Sequence, residues 1–366
     1  MKKVLIIGGY GNFGSRIAAG LVKANIAIII AGRDQSKAKN LQQRLQLLYP
    51  QQTIEAAVLD VNDRLAEQLR ILKPRVVVNV AGPFQNCDYT VALACIKENI
   101  HYIDLAEGRD FVNEIVSLHS QAIKSDVLVV SGASTVPGLS SAVLEHYKSQ
   151  FLKIDSLIYG ISPGQQTSLG LATVKSILCY VGKPLKRCYN DEKIRYGWQD
   201  LYRQEYPILG KRWMANCDIP DFDIFSNRYG IEFLRFSAGV ESHVVHLGIW
   251  FLSYLVRIGL LINLPKYANF LFNCSKLFQI FGTQNGGMHM LLQGKDLAGK
   301  PKELRWFIIA EKGDGPQIPC TPAIILAKKL INETVVEKGA MPCVGLITLE
   351  EYLEQLKDFS IKEIVT

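Results

Sequence analysis

The chain has 366 residues, 48% of them hydrophobic, with a mean hydropathy of +0.11; that length exceeds a typical single domain and allows a sizeable core. A net charge of +7 without any long Lys/Arg run excludes the basic footprint of a nucleic-acid-binding protein.

Val4 to Ile7 is an apolar run of strand length, followed by Gly9, Gly11 and Gly14 in the spacing G-x-G-x-x-G. Ser15 to Lys23 then has a helical period, with Ile17, Ala18, Leu21 and Val22 on one face, and Ile26 to Ala31 is a second apolar strand. A glycine triplet alone says little. Between a strand and a helix, with another strand beyond, it predicts a dinucleotide site. Gly9 permits the tight turn, Gly11 has no side chain to block a pyrophosphate, and Gly14 lets the helix lie close to the sheet. The helix N-terminus near Asn12 and Phe13 faces the diphosphate with free N–H groups and the positive end of its dipole.

The next strand ends in "AGRD", where an acidic side chain would hold ribose hydroxyls and an Arg would accommodate a 2′-phosphate. Asp34 fits the usual count loosely, but the strand-end position is Gly32. That glycine is expected to leave room for a phosphate held by Arg33, with Ser36 and Lys37 adding to the pocket. Asp34 serves instead as N-cap of a helix over Gln35 to Leu48. This favours NADP(H) over NAD(H), and the mild basic excess suits such an anionic cofactor.

Strands are expected at Ile54 to Asp60, Arg75 to Val80, 101 to 107 and Val127 to Ser131. Helices are expected between them at Arg64 to Leu72, Cys87 to Glu98 and Glu114 to Lys124. This alternation predicts a Rossmann doubly wound parallel sheet, in which ligands bind beyond the carboxyl ends of the strands. Asp60 and Val61 are expected beside the adenine. Ala81, Gly82 and Pro83 are expected beneath the diphosphate and nicotinamide ribose, where small residues admit the backbone. Tyr102, Asp104 and Glu107 are the titratable groups placed to donate a proton in hydride-transfer chemistry. Either carboxylate could instead hold a substrate ammonium, cap the next helix or pair with Arg109. His101 starts its strand, away from the crevice, and is read as structural. Cys87 follows the Gly-Pro loop and is expected as a buried neutral thiol.

After residue 140 the rhythm changes. Strands at Ile154 to Ile161, Phe233 to Gly239, Met288 to Gly294 and Leu304 to Glu311 are separated by longer segments, the pattern of a second α+β domain with a mostly antiparallel sheet. Residues 1–140, 141–318 and 319–366 are expected as the nucleotide-binding domain, a substrate and dimerisation domain, and C-terminal helices packing back on the first. Val244 to Leu264 is apolar over a bilayer-spanning length, but His246, Arg257 and Asn263 interrupt it. A buried or dimer-interface helix is the first reading, and peripheral membrane contact the second. His243 and His246 have i, i+3 spacing without a third ligand, so no metal is expected. Eight cysteines (87, 95, 179, 188, 217, 274, 320, 343) lack C-x-x-C or zinc spacing, and they and the immediate start of the first strand suggest reduced thiols in the cytoplasm without a signal peptide.

Seven segments together resemble the saccharopine dehydrogenase family: "GGYGNFGSRIA", "AGRD", "VVVNVAGPFQ", "HYIDLAEG", "TVPGLSSAV", "GDGPQIPCTPAIILAKKL" and "GAMPCVGLITLEEYLEQL". The resemblance implies an NADP-binding Rossmann domain with a second α/β domain that dimerises and covers the active site. It also implies reversible joining of an amino acid to a semialdehyde through an imine that NADPH reduces. The second domain has no evident basic cluster for the several carboxylates of saccharopine, which favours the broad saccharopine dehydrogenase-like oxidoreductase branch. A lipid-like or acyl substrate, suggested by residues 244 to 264, and a non-catalytic NADP(H)-binding interaction protein are the alternatives.

Overall fold

The computed structural model describes residues 1–85, 87–167, 170–185 and 194–366, with side chains for all of these except 171, 172 and 281. Cys188 lies outside the described residues. In chain order the first elements are β1 (Lys3–Ile7), α1 (Asn12–Lys23), β2 (Ala27–Gly32), α2 (Gln35–Leu48), β3 (Ile54–Val58), α3 (Leu65–Leu72), β4 (Val76–Asn79), α4 (Thr90–Lys97), β5 (His101–Asp104), α5 (Arg109–Asn113), α6 (His119–Lys124), β6 (Leu128–Ser131) and α7 (Ser140–Tyr147). Then come β7 (Lys153–Ser162), α8 (Leu171–Tyr180), β8 (Tyr202–Tyr206), β9 (Gly210–Asn216), α9 (Asp221–Tyr229), β10 (Phe233–Ala238), α10 (His243–Arg257), α11 (Ala268–Lys276), β11 (Gly286–Lys295) and β12 (Pro301–Ala310). The chain closes with α12 (Thr321–Ile331), β13 (Gly339–Pro342), α13 (Leu349–Leu356) and β14 (Ile361–Val365).

Two compact units result, one of residues 1–143 and 317–356, the other of 144–316 and 357–366. The first holds a seven-stranded, all-parallel sheet in the order β13-β6-β5-β4-β1-β2-β3. Its central strands are buried on both faces, which is why they read as unbroken Val/Ile/Leu runs. The strand order reverses between β1 and β4, so the crevice of a doubly wound sheet opens there, at the carboxyl ends. On α1 the stripe Ile17, Ala18, Leu21 and Val22 is buried as its period predicts.

The second unit holds a mixed sheet in the order β14-β12-β11-β7-β10-β9-β8, antiparallel except where β10 runs parallel to β7. The described part of the chain departs from the sequence expectation in several places. The β8–β9 hairpin was not foreseen, because its outer strand "YRQEY" is charged and largely unburied. Residues 114–124 split into a 3-10 turn and the short α6. The tail is not helical to its end: "IKEIV" pairs antiparallel with β12 and adds β14 to the second sheet.

Candidate functional site

The turn after β1 is tied to β2, since the Gly8 and Gly9 amides both donate to the Ala31 carbonyl at 2.9 and 3.1 Å. A Cβ on Gly14 would lie 2.3 Å from the Gly8 oxygen and 2.8 Å from the Gly9 Cα, so the helix can approach the turn only with glycine there. A Cβ on Gly9 would lie 2.9 Å from the Ile6 oxygen. Gly11 is different: it is exposed, and a Cβ would meet nothing but the Gly8 oxygen, at 3.1 Å. Gly11 is also the N-cap of α1 and supplies no side-chain cap, which leaves the helix start open to an anion. Gly14→Ala is expected to lower stability by about 1–3 kcal/mol through overpacking against fixed backbone. Urea unfolding, compared with Gly11→Ala as the mild control, measures it.

Asn12 is held by Arg16, whose Nη1 donates to both its carbonyl and its Oδ1 at 2.6 Å. Phe13 is half-buried, and its carbonyl accepts from the Cys320 thiol at 3.6 Å. Arg16 was missed by motif reading, although its position four residues after Asn12 places both on one helical face. It puts a cation on the first turns of α1.

At the end of β2, the space beside Gly32 is not open as expected. The ring of Tyr10 fills it, and a Cβ on Gly32 would lie 2.5 Å from the Tyr10 Cε1. The Tyr10 hydroxyl accepts from the Asp34 amide at 3.0 Å. Asp34 caps α2, its Oδ1 accepting from the Lys37 amide at 3.1 Å, and that hydrogen bond lowers its pKa. Lys37 is partly committed to the same carboxylate, with Nζ 3.3 Å from Asp34 Oδ2. Ser36 is exposed. Arg33 is exposed and has no hydrogen-bond or ion-pair partner among the described residues, so its guanidinium is available to a ligand phosphate.

Asp60 is half-buried and holds its own turn, accepting from the Asn62 amide at 3.0 Å, while Val61 packs on the core. Beyond β4, the Asn79 Oδ1 accepts from the Ala81 amide at 3.1 Å, and the Gly82 amide donates to Val80 at 3.0 Å. Ala81 and Pro83 are exposed and Gly82 half-exposed. A Cβ on Gly8, at φ +76°, would come within 3.2 Å of the Ala81 nitrogen. The glycine turn and the Ala81–Pro83 loop therefore adjoin at the switch point. Cys87 is exposed rather than buried, with burial of the thiol's surroundings and then Asp88 raising its pKa.

The three proton-donor candidates separate. Tyr102 is sealed in the core, its hydroxyl accepting from Asn79 Nδ2 at 3.2 Å. Asp104 has no exposure at all; its Oδ1 accepts from the Ser131 hydroxyl and from the Ala106 and Gly132 amides, each at 2.9 Å. Burial pushes its pKa up to about 6 against the pull of those hydrogen bonds. Both were expected to face the crevice, but β5 is buried on both sides and strand-end position does not fix which way a side chain points. Glu107 alone is exposed, its Oε1 accepting from the Ser134 hydroxyl at 3.0 Å. Asp104 thus fixes the loop after β6, and that loop's Ser134 holds Glu107.

His101 is buried, its Nδ1 accepting from the Leu128 amide at 2.9 Å, and burial brings its pKa down to about 4. His246 is buried beside Trp198, whereas His243 is exposed. Among the described residues no group of three or more His, Cys, Asp or Glu is placed to hold a metal.

Residues 4–130 match the family model of the saccharopine dehydrogenase NADP binding domain. No curated protein matches the chain by sequence. Among solved structures, apo saccharopine dehydrogenase (L-Glu forming) from Saccharomyces cerevisiae is similar over 100% of both chains, with a TM-score of 0.68 and 13% identity. Two reductases are similar only in part. A methylglyoxal/isovaleraldehyde reductase from yeast, in complex with NADPH, has 18% identity over 28% of this chain and 37% of its own, with a TM-score of 0.25. A betaketoacyl-[ACP] reductase from Bacteroides thetaiotaomicron has 13% identity over 36% and 75%, with a TM-score of 0.29. The open α1 N-terminus, the glycine turn and the exposed Arg33, which has no partner among the described residues, suit NADP. Residues 4–130 thus form an NADP-binding domain of the saccharopine dehydrogenase type, and over its whole length the chain shares the fold of saccharopine dehydrogenase.

Proposed function

We propose that this chain reduces an imine, formed from an amino acid and a semialdehyde, or a simple carbonyl, by hydride transfer from NADPH. The observation that supports it is the convergence, at the carboxyl ends of β1, β2, β4 and β5, of the glycine turn, Arg33, the Ala81–Pro83 loop and Glu107. Bound NADPH supplies the hydride. The turn and the start of α1 hold the diphosphate, Arg33 the 2′-phosphate, and the small residues Ala81 and Gly82 let the nicotinamide ribose lie on the backbone. Glu107, exposed and oriented by Ser134, is the group that meets the substrate nitrogen, as an anchor for an ammonium or iminium and as a proton-transfer partner. Asp104 and Tyr102 are positioning residues beneath it.

The test is NADPH consumption with amino acids and aldehydes supplied singly and in pairs. Consumption that needs both partners is the expected result. Consumption with the aldehyde alone makes the chain a carbonyl reductase, and none with any pair sinks the catalytic reading. Glu107→Gln is expected to lower kcat/KM roughly tenfold, the size of one charge-assisted hydrogen bond, while NADPH affinity holds. A second reading, reduction of a lipid-like or acyl substrate, is favoured by the exposed apolar face of α10 and is checked by the same assay with long-chain enals and aldehydes.

A further inference from the structure

The helix α10 is apolar on both sides: Ile249, Leu252 and Val256 pack on the core, and a second apolar row faces outward. Its fully buried residues are the polar His246 and Ser253, whereas Val244, Leu247, Phe251, Tyr254 and Ile258 form an exposed stripe at alternating steps of three and four. Past α10, Leu260, Ile262, Phe270, Leu277 and Ile280 are exposed as well, so the exposed apolar residues extend beyond one helix. No helix among the described residues is long and apolar enough to cross a membrane. At 15 residues α10 is about 22 Å long, short of a hydrocarbon core of about 30 Å.

Charge decides what covers this face. Residues 242–282 contain Arg257, Lys266 and Lys276 but not one Asp or Glu. Two copies packed face to face would set cations against cations with no carboxylate on the patch to offset them, whereas helix seams between proteins are usually flanked by both signs. Beside the C-terminal end of α10, a groove of about 400 Å³ is lined by Lys183, Tyr196, Arg257 and Ile262. Lys183 is exposed and has no side-chain partner among the described residues. Arg257 lies over the Tyr196 ring at 4.0 Å and donates to Gln199, which fixes its cationic head at the groove.

We propose that the α10–α11 face docks on an anionic lipid surface, with the apolar stripe in the headgroup and acyl boundary and a lipid phosphate in the groove between Lys183 and Arg257. The helix lies in the membrane plane; it does not span. The inference stands apart from the proposed reaction, since it needs neither NADPH nor substrate.

The test is sedimentation of the full chain with vesicles of phosphatidylcholine alone and of phosphatidylcholine with phosphatidylglycerol, at low salt and at about 0.5 M salt, where charge is screened. The wild type is expected to pellet with the anionic vesicles at low salt. Phe251→Glu combined with Ile262→Glu is expected to reduce that binding at least tenfold, roughly what two charges at the boundary should cost. Lys183→Ala combined with Lys276→Ala is expected to weaken binding roughly thirtyfold, about 1 kcal/mol per cation being typical near an anionic surface. All four residues are exposed, and unchanged circular dichroism and NADPH affinity identify variants that remain folded. No pelleting with either vesicle, or pelleting indifferent to the paired glutamates, overturns the proposal. So does a dimer in light scattering that the same glutamates dissociate, because the face then belongs to a second copy.

Discussion

Arg33→Ala is expected to raise the Kd for NADPH by about 10- to 100-fold and to leave that for NADH within about twofold. The two nucleotides differ only in the 2′-phosphate, so a change confined to NADPH assigns the contact to that group. Arg33 follows the last residue of β2, where a doubly wound sheet places the adenosine ribose, and the guanidinium has no competing partner among the described residues. Its neighbour cannot take the opposite role cheaply: Asp34 is bound to the first turn of α2, and turning it towards a ribose would uncap that helix, at about 1 kcal/mol. Isothermal titration of both nucleotides against wild type and variant measures the effect, and equal losses for both would show that Arg33 acts on something other than the 2′-phosphate. Arg33→Lys should keep part of the preference, since it retains the charge but not the planar fork.

Between about pH 4 and pH 6 the wild type should lose on the order of 3 kcal/mol of stability relative to Asp104→Asn as the pH rises. The folded carboxyl has its pKa raised from 3.8 to about 6 by burial. Across that window the unfolded chain releases the proton and the folded chain keeps it, so the native state binds more protons and is disfavoured by raising the pH. The sign is opposite to that of a salt-bridged carboxylate. Asparagine mimics the protonated acid in shape, can still accept from Ser131, Ala106 and Gly132 through its oxygen, and has no charge to lose. Urea midpoints of both proteins at several pH values give the difference directly. A difference that does not change with pH would show that Asp104 is already ionised throughout, despite its burial.

Much of the first unit was legible because its signals are local. Glycines that admit no Cβ, unbroken apolar strands and a capping Asp34 each report their own backbone. What escaped depends on residues distant in sequence. Nothing in "AGRD" says that the Tyr10 ring, more than twenty residues earlier, will occupy the space beside Gly32. "HYID" shows where a strand ends, but the burial of Tyr102 and Asp104 follows from β4 and β6 flanking it and from the loop that closes over the carboxylate. The apolar run from 244 was plain in the sequence, yet its period conceals which face is turned inward. Only the packing of Ile249, Leu252 and Val256 on the core shows that Val244, Leu247, Phe251 and Tyr254 are the row left outside.

The connectivity of the first unit sets an order of assembly. Its sheet takes β13 as the neighbour of β6, and α12 belongs to the same unit, yet 173 residues of the second unit, 144–316, are synthesised between the two portions. During translation the outer edge of β6 therefore stays unpaired until Pro342 has emerged, a sticky border that a ribosome-bound chain exposes while residues 132–342 are made. A chain stopped at Pro316 should accordingly lack a protease-resistant N-terminal fragment, and one stopped at Leu356 should possess it.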